Sequence, residues 1–338
     1  MSKYPLIDLL KDYPKMELRA EAIKKMSFDQ RVQQAFAWAR ERHSIFLLRN
    51  FYEVPPPWSS LPHMAQTRWC NVYRELDRVT QWFVYNVYLP NVDNPNLWFA
   101  AMICRYINFP ESIQDLMDAN CLGLSGRWDW RKAAAVLNER KHNKKQFVTG
   151  AYLVNSVSSS HFPPEIMGSK PDVISYRLNH AWENRSSLNG SFKGTMKDAF
   201  DAVSSVPGFG NFLSYQVCVD LSYSKKWLKN APDLNSFNAA GPGTKRGAQR
   251  IKYGRDKSTF EAIGQEETTE VLSMFLEKSR SIEYWPRSNT LNPGDGWAPL
   301  SMSNVSNLFC EHDKNTRVLL REGTTRSRYV ADQSLALF

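Results

Sequence analysis

Apolar residues recur at three-to-four spacing over most of the chain, the period of helices that bury one face. Residues 17–49 (ELRAEAIKKMSFDQRVQQAFAWARERHSIFLLR) combine that spacing with strong helix formers and predict one or two helices. Residues 53–62 (EVPPPWSSLP) interrupt it, because proline removes a donor and restrains its neighbour. Residues 66–89 predict one long helix whose buried stripe is Trp69, Tyr73, Leu76, Thr80, Phe83 and Val87. After a loop at 90–97, short helices are expected at 98–108 and 111–121, parted by Pro110. Further helices are expected at 127–148 and 173–187, with a Ser/Pro/Gly-rich loop at 158–171 between them. Residues 195–206, the turn PGFGN and residues 212–226 read as a helix–hairpin–helix. A final helix at 268–283 would open at Thr268 or Thr269, and the tail after 284, with Pro286, Pro293, Gly294, Gly296 and Pro299, has little helical signal. No alternating strand pattern, internal repeat or low-complexity linker is present. The expected fold class is mainly α with irregular loops. It is divided into an N-terminal helical segment at 1–52 and a larger helical domain at 53–338, or forms one continuous domain.

Composition narrows the function classes. Of 338 residues 42% are hydrophobic and 23% charged, which excludes wholesale disorder and collagen-like or disulfide-scaffold classes. No apolar run reaches the ~18 residues of a membrane span, and the start MSKYPLIDLLKDYPK lacks a secretory signal, so an intracellular protein is expected. Cys70, Cys104, Cys121, Cys218 and Cys310 are odd in number and never at ligand spacing. They read as free thiols, and no metal site is expected. Lys and Arg number 43 against 34 Asp and Glu, a net +9, and aromatics reach 13%. That balance fits a nucleic-acid partner, with cations on phosphates and rings on bases, and equally a basic protein with an aromatic core.

Five segments carry candidate chemistry. In Val206–Phe212, Gly208, Gly210 and Asn211 form a tight turn before a helix N-terminus, suited to a DNA phosphate or to an ordinary helix connection. Asp233, after Pro232, is an acid candidate or a helix cap. Gly241–Gly247 (GPGTKRG) places Lys245 and Arg246 among glycines, as a phosphate or diphosphate cradle or a solvated basic loop. It is not a Walker loop. On the expected helix at 66–89, Arg74, Asp77, Arg78 and Gln81 share a face and Arg68, Asn71 and Glu75 form its edge. This face is either a salt-bridged surface or a polar set wedged among Trp69, Tyr73 and Trp82. In Asn307–Lys314 (NLFCEHDK), Glu311, His312, Asp313 and Lys314, with Arg317, offer proton transfer or an exposed turn. Apart from these, residues 127–145 hold seven Lys/Arg against Asp129 and Glu139.

Taken together, Arg68–Thr80 (RWCNVYRELDRVT), Gly150-Ala151-Tyr152, the Pro207–Gly210 hairpin, Ala240–Gly247 (AGPGTKRG) and Cys310–Lys314 (CEHDK) resemble, in order, the bacteriophage α-glutamyl/putrescinyl-thymine pyrophosphorylase family. That family includes amino acid:DNA transferases and a related helical domain associated with 5-hydroxymethyluridine DNA kinases. The resemblance runs from about residue 50 to 330. It implies a helix–hairpin–helix DNA glycosylase-like helical architecture and a phage-encoded enzyme of the host cytoplasm. The implied reaction replaces the pyrophosphate of 5-pyrophosphoryloxymethyl-deoxyuridine in double-stranded DNA with an amine. The donor is an amino acid, glycine first, or a polyamine, and no cofactor or membrane is involved. Such thymidine hypermodification helps phage DNA evade host restriction.

The resemblance also implies roles. The reacting base leaves the stack. Arg68, Asn71, Arg74, Arg78, Lys245, Arg246 and Lys314 would hold pyrophosphate or substrate, and Lys314 or Arg317 an amino-acid carboxylate. Glu75, Asp77, Asp233, Glu311 and Asp313 are the catalytic candidates, Asp233 by analogy with the acid of helix–hairpin–helix glycosylases. Gly208, Gly210 and Asn211 would meet the DNA backbone. Direct displacement and an exocyclic-methylene intermediate both remain open. The alternatives are a glycosylase acting on a modified base, a kinase-associated helical domain, and a DNA-binding module without catalysis.

Overall fold

Two apolar cores organise the chain, each inside its own stretch of sequence. The structure is a computed structural model that describes residues 3–149, 169–254, 263–286 and 296–322. One compact unit comprises Met1–Leu76 with Ala240–Phe338, and the other Asp77–Ala239. The boundary expected at 52/53 thus falls inside the first unit, and the expected helix–hairpin–helix inside the second. The main α-helices, in chain order, are α1 (Phe28–Phe46), α2 (Arg78–Phe83), α3 (Leu97–Ile107), α4 (Pro110–Asp118), α5 (Trp130–His142), α6 (Lys170–Glu183), α7 (Met196–Ser204), α8 (Asn211–Leu221), α9 (Pro242–Tyr253), α10 (Gln265–Lys278) and α11 (Met302–Leu319). Among the described residues the regular structure is helical, without a strand beyond an isolated bridge. The fold is mainly α, as the periodicity predicts. Gly150-Ala151-Tyr152 and nearly all of the loop expected at 158–171 lie outside the described residues.

In the first unit, α1 opens with a capping box between Ser27 and Gln30. Its Val32, Ala35, Phe36 and Ala39 are fully buried, and Phe36 stacks on Phe275 of α10 at 3.8 Å. Phe309 of α11 meets Phe275 edge-on at 5.1 Å, so α1, α10 and α11 share one core with Trp285 and Trp297. Three expectations are corrected here. α10 begins at Gln265 behind Gly264, not at Thr268 or Thr269. The tail after 284 contains α11, 18 residues long and opened by a Ser301–Asn304 capping box. Its apolar positions Met302, Val305, Leu308 and Phe309 occupy only the first half. Beyond them the buried positions are Glu311, His312, Asp313, Asn315 and Thr316, which no hydrophobic period reveals.

The third correction concerns residues 66–89, which are not one helix. Residues 67–73 are irregular, Arg74–Leu76 form a single 3₁₀ turn, and α2 starts only after Asp77. Trp69, Tyr73, Thr80, Phe83 and Val87 are buried as expected and Leu76 partly so, yet the set divides between the two cores. α9 overturns another expectation, since Gly241–Gly247 is not an open loop. Gly241 caps the helix and the rest forms its first turns. Gly243 and Gly247 face α11, where a methyl group would strike the Cys310 sulfur at the first and the Phe309 carbonyl at the second. These glycines are required for close helix packing.

In the second unit, α3 is buried over its whole length. Its Arg105 is 1% exposed and pairs with the fully buried Asp220 of α8 at 2.5 Å. Thr80 Oγ1 accepts from Arg105 Nη2 at 2.9 Å, and Tyr88 donates to Asp220 Oδ2 at 2.5 Å. A buried charge pair persists when its remaining donors and acceptors are also satisfied, and this one is. The helix expected at 127–148 is the shorter α5, capped by Asp129. α7, the turn and α8 form the expected helix–turn–helix, with Phe209 buried against Tyr106 at 4.7 Å.

The α9–α11 seam yields a test. Gly247→Ala is expected to cost about 1–3 kcal/mol by overpacking. Gly264→Ala, where a methyl meets nothing within 4 Å, changes stability by less than about 1 kcal/mol. Thermal or urea unfolding of both variants measures the difference.

Candidate functional site

α11 presents two polar stripes to its neighbours. The first is Asn304, Asn307, Glu311 and Lys314, whose three-four-three spacing aligns them on one side of the helix. Residues 68–76 run past this stripe in the opposite direction. Lys314 donates its Nζ to the Arg68 carbonyl and lies 4.6 Å above the Trp69 ring. Glu311 Oε2 accepts the Cys70 amide at 3.2 Å, and Asn307 donates to the Asn71 carbonyl at 3.0 Å. Asn304 donates to Glu75 Oε2 at 2.9 Å. From α1, Arg42 donates to the Cys70 carbonyl at 3.0 Å and to the Asn71 side chain. The backbone at 68–71 therefore finds partners in α11 and α1 side chains, which is why this stretch does not coil.

The second stripe faces α9. Thr244 donates to the Ser306 carbonyl at 2.9 Å. Asp313, fully buried, accepts from Arg250 Nε at 2.8 Å and Arg246 Nε at 3.0 Å, with Arg317 Nε at 3.3 Å. Arg250 reaches Glu322 as well, at 2.5 Å. Three guanidiniums thus face two carboxylates, which leaves an excess positive charge. Arg250 is sealed at 4% exposure, whereas Arg246 is 39% exposed.

Burial sets the protonation states along this stripe. The Cys310 thiol is pushed up to about 12 by burial and by the nearby Glu311 and Asp313 carboxylates, so it stays protonated. His312 is lowered to about 4, first by burial and then by Arg250, with Asp313 opposing. It is a neutral imidazole at physiological pH. His63 is also lowered by burial and contacts Asn315 at 3.1 Å. Among the described residues no group of three or more His, Cys, Asp or Glu is placed to hold a metal.

Within the first unit, α11 carries Glu311, Asp313 and Lys314 and meets Arg68, Asn71 and Glu75 along one stripe and Arg246 along the other, while Arg74 and Lys245 lie in the same unit. Glu311, His312 and Asp313 are buried on a helix, so the exposed-turn reading of 310–314 is corrected. Asn71 and Glu75 do not share a helix edge. The sequence reading missed Arg42, Arg250 and Asn304, and gave no role to Asn307, which heads the 307–314 segment. Arg250 stands four residues after Arg246, a spacing that carries meaning only once α9 is known to be a helix.

Asp77, Arg78, Gly208, Gly210, Asn211 and Asp233 belong to the second unit. The helix face once expected to join Arg74 to Asp77 and Arg78 does not exist, because α2 starts at Arg78. Asp233 accepts the amides of Met196 at 2.7 Å and Lys197 at 3.0 Å, one on each oxygen. It therefore caps the start of α7, the role its proline context allowed. Gly208 has φ +90°, and a methyl there would strike Arg177 Cδ and the Tyr106 hydroxyl. Gly208, Gly210 and Asn211 are exposed, and Gly210 opens α8 without a side-chain cap. The start of α8 is thus at the surface, and a helix N-terminus there can receive an anion.

Comparison with known proteins adds a family. The family model described as "5-hmdU DNA kinase, helical domain" matches residues 29–325. A curated protein of Bacillus phage SP10 named "5-hmdU DNA kinase" is 25% identical over 237 residues, which cover 62% of this chain and 34% of that protein. The chain thus spans about a third of the length of that relative. No solved structure matches it.

His312 gives this site a pH signature. Its folded-state pKa lies below the unfolded value near 6.5, so unfolding takes up a proton as pH falls. Its contribution is complete above about pH 6.5 and is lost progressively down to about 4. His312→Gln is expected to flatten the loss of unfolding free energy between pH 7 and 5 by about 2 kcal/mol. Denaturant titrations at both pH values measure this, and identical slopes contradict it.

Proposed function

The chain belongs to the family of the 5-hmdU DNA kinase helical domain, and from that premise we propose that it is a phage DNA-hypermodification transferase. It acts on 5-pyrophosphoryloxymethyl-deoxyuridine in double-stranded DNA and installs an amine, from glycine, another amino acid or a polyamine, in place of pyrophosphate. Its architecture is proposed to be of the helix–hairpin–helix glycosylase kind, working in the cytoplasm of the phage's host and shielding phage DNA from restriction. The supporting observation is the packing of 68–76 and 241–250 against residues 304–317 of α11, with Arg246 at the outer edge of a charge knot that is positive in excess.

The chemistry has two demands. The amine nitrogen bonds to the base's exocyclic carbon, the carbon–oxygen bond to pyrophosphate breaks, and the amine gives up a proton. Departing pyrophosphate needs cations that require no rearrangement as its charge develops. Arg246 supplies this, oriented by the buried Asp313, with Lys245, Lys314 and Arg68 as further cations of the same unit. The proton needs a carboxylate. Glu75 fits best, because it is exposed and held on one oxygen by Asn304. Glu311 is engaged by the Cys70 amide and Lys314 and serves to position. Asp313 acts through the arginines it orients. The amides of Gly210 and Asn211 are the proposed backbone contact.

A second reading follows from the name of the SP10 relative. In it, the chain is the helical partner of a kinase activity. The sequence has no Gly-rich Walker loop to cradle ATP phosphates.

The test supplies the purified chain with duplex DNA carrying the pyrophosphorylated base, together with glycine, other amino acids or putrescine. Pyrophosphate release and a heavier nucleoside by mass spectrometry are expected. Arg246→Gln is expected to lower the rate about 100-fold or more while the melting temperature stays within a few degrees. Absence of product with every amine overturns the reading. ATP-dependent phosphorylation of 5-hydroxymethyl-deoxyuridine DNA by the same preparation favours the second.

A further inference from the structure

The basic run at 127–145 has no part in the chemistry above, yet it dominates the charge of its unit. It carries seven Lys/Arg against two acids, whereas the rest of Asp77–Ala239 carries ten against twelve. The positive excess of that unit is therefore confined to one helix and its flanks. Arg127, Arg131 and Lys132 are exposed at the start of α5, and Lys141, Lys144 and Lys145 are exposed at its end. Arg127, Lys132, Lys141, Lys144 and Lys145 make no ion pair among the described residues. The seventh cation, Arg140, is half-buried and bound to Asp115 at 2.5 Å, so it serves the fold. Of the two acids, Asp129 is occupied by the Arg131 and Lys132 amides at 2.9 and 3.2 Å.

Such a surface needs an explanation. Unpaired like charges held on one rigid helix repel one another, and the helix buries only Ala133, Ala134 and Leu137 to hold its place. Its orientation is fixed relative to the hairpin. Trp130 of α5 packs edge-on against Tyr176 of α6 at 5.4 Å, and the adjacent Arg177 donates to Tyr106 at 2.8 Å directly beneath Gly208. One helix, α6, thus links the cationic face and the hairpin turn within a single unit.

We infer that α5 is a second contact for the DNA backbone, which grips duplex phosphates without reading bases. This rests on DNA being the partner, as in the reading above, and extends it to a surface remote in sequence from the chemistry. The 13 residues of α5 span ~20 Å, so its two cationic ends reach phosphates about six base pairs apart. The exposed middle of the helix offers Ala135 and Glu139, which are poor readers of guanine or adenine edges.

The experiment measures binding of the full chain to a fluorescent, unmodified duplex of arbitrary sequence by anisotropy across a salt series. The probe carries no reactive group, so its outcome is separate from that of the transfer assay. The triple variant Lys141→Gln, Lys144→Gln, Lys145→Gln is expected to bind at least 10-fold more weakly near 100 mM salt. Its salt slope should fall by about 2–3, close to 0.9 for each lost phosphate contact. The control triple Lys225→Gln, Lys226→Gln, Lys229→Gln removes the same charge from the same unit and is expected to leave the slope unchanged. Equal losses in both triples overturn the proposal, because net charge alone then accounts for binding. An unchanged slope in the α5 variant also overturns it.

Discussion

One buried carboxylate sets the terms for the first unit. Asp313 has no access to solvent, and a lone charge in that position would cost several kcal/mol. It is tolerated because Arg250 and Arg246 of α9 deliver their Nε groups to it. They do so only because Gly243 and Gly247 let α9 lie against α11. Removing the sealed Arg250 would strand the carboxylate, whereas the assembled knot fixes register between the two helices. On a neighbouring face α11 spends Asn307, Glu311 and Lys314 on the backbone of 68–71 and Asn304 on the Glu75 side chain. The same helix thus orders both segments.

The charge knot also explains how the proposed chemistry is organised. An exposed cluster of arginines reorganises with each ligand, while Arg246 is held by a carboxylate that cannot move. Pre-orientation of that kind lowers the cost of receiving a departing anion. The neutral state of His312 and the protonated state of Cys310 follow from the same burial. They leave the carboxylates and cations as the groups able to act.

The mainly helical class, the breaks at prolines and the hairpin between α7 and α8 were legible from periodicity and turn chemistry. Phe209 and Gly208 sit where such a turn requires them. α11 was not legible, because its second half buries Glu311, His312, Asp313, Asn315 and Thr316, and an amphipathic pattern cannot show a polar core. The stretch 66–89 misled in the opposite way. Its apolar spacing was real and its residues were buried, but they serve two cores, and the spacing continues across the boundary at Leu76. The motif at 241–247 was recognised as unusual for its glycines, which serve helix packing. Roles that depend on tertiary partners, such as Arg42 and Asn307, leave no mark in local sequence.

The central claim is that α11 side chains hold residues 68–76 in place, and amide hydrogen exchange reads it most directly. The Cys70 amide, donated to Glu311, is predicted to exchange slowly in the native chain. In Glu311→Ala the amides of residues 68–76 should exchange at least 10-fold faster, while those of α3 in the other unit keep their protection. If the Cys70 amide exchanges rapidly in the unaltered protein, or is indifferent to the loss of Glu311, the account is wrong.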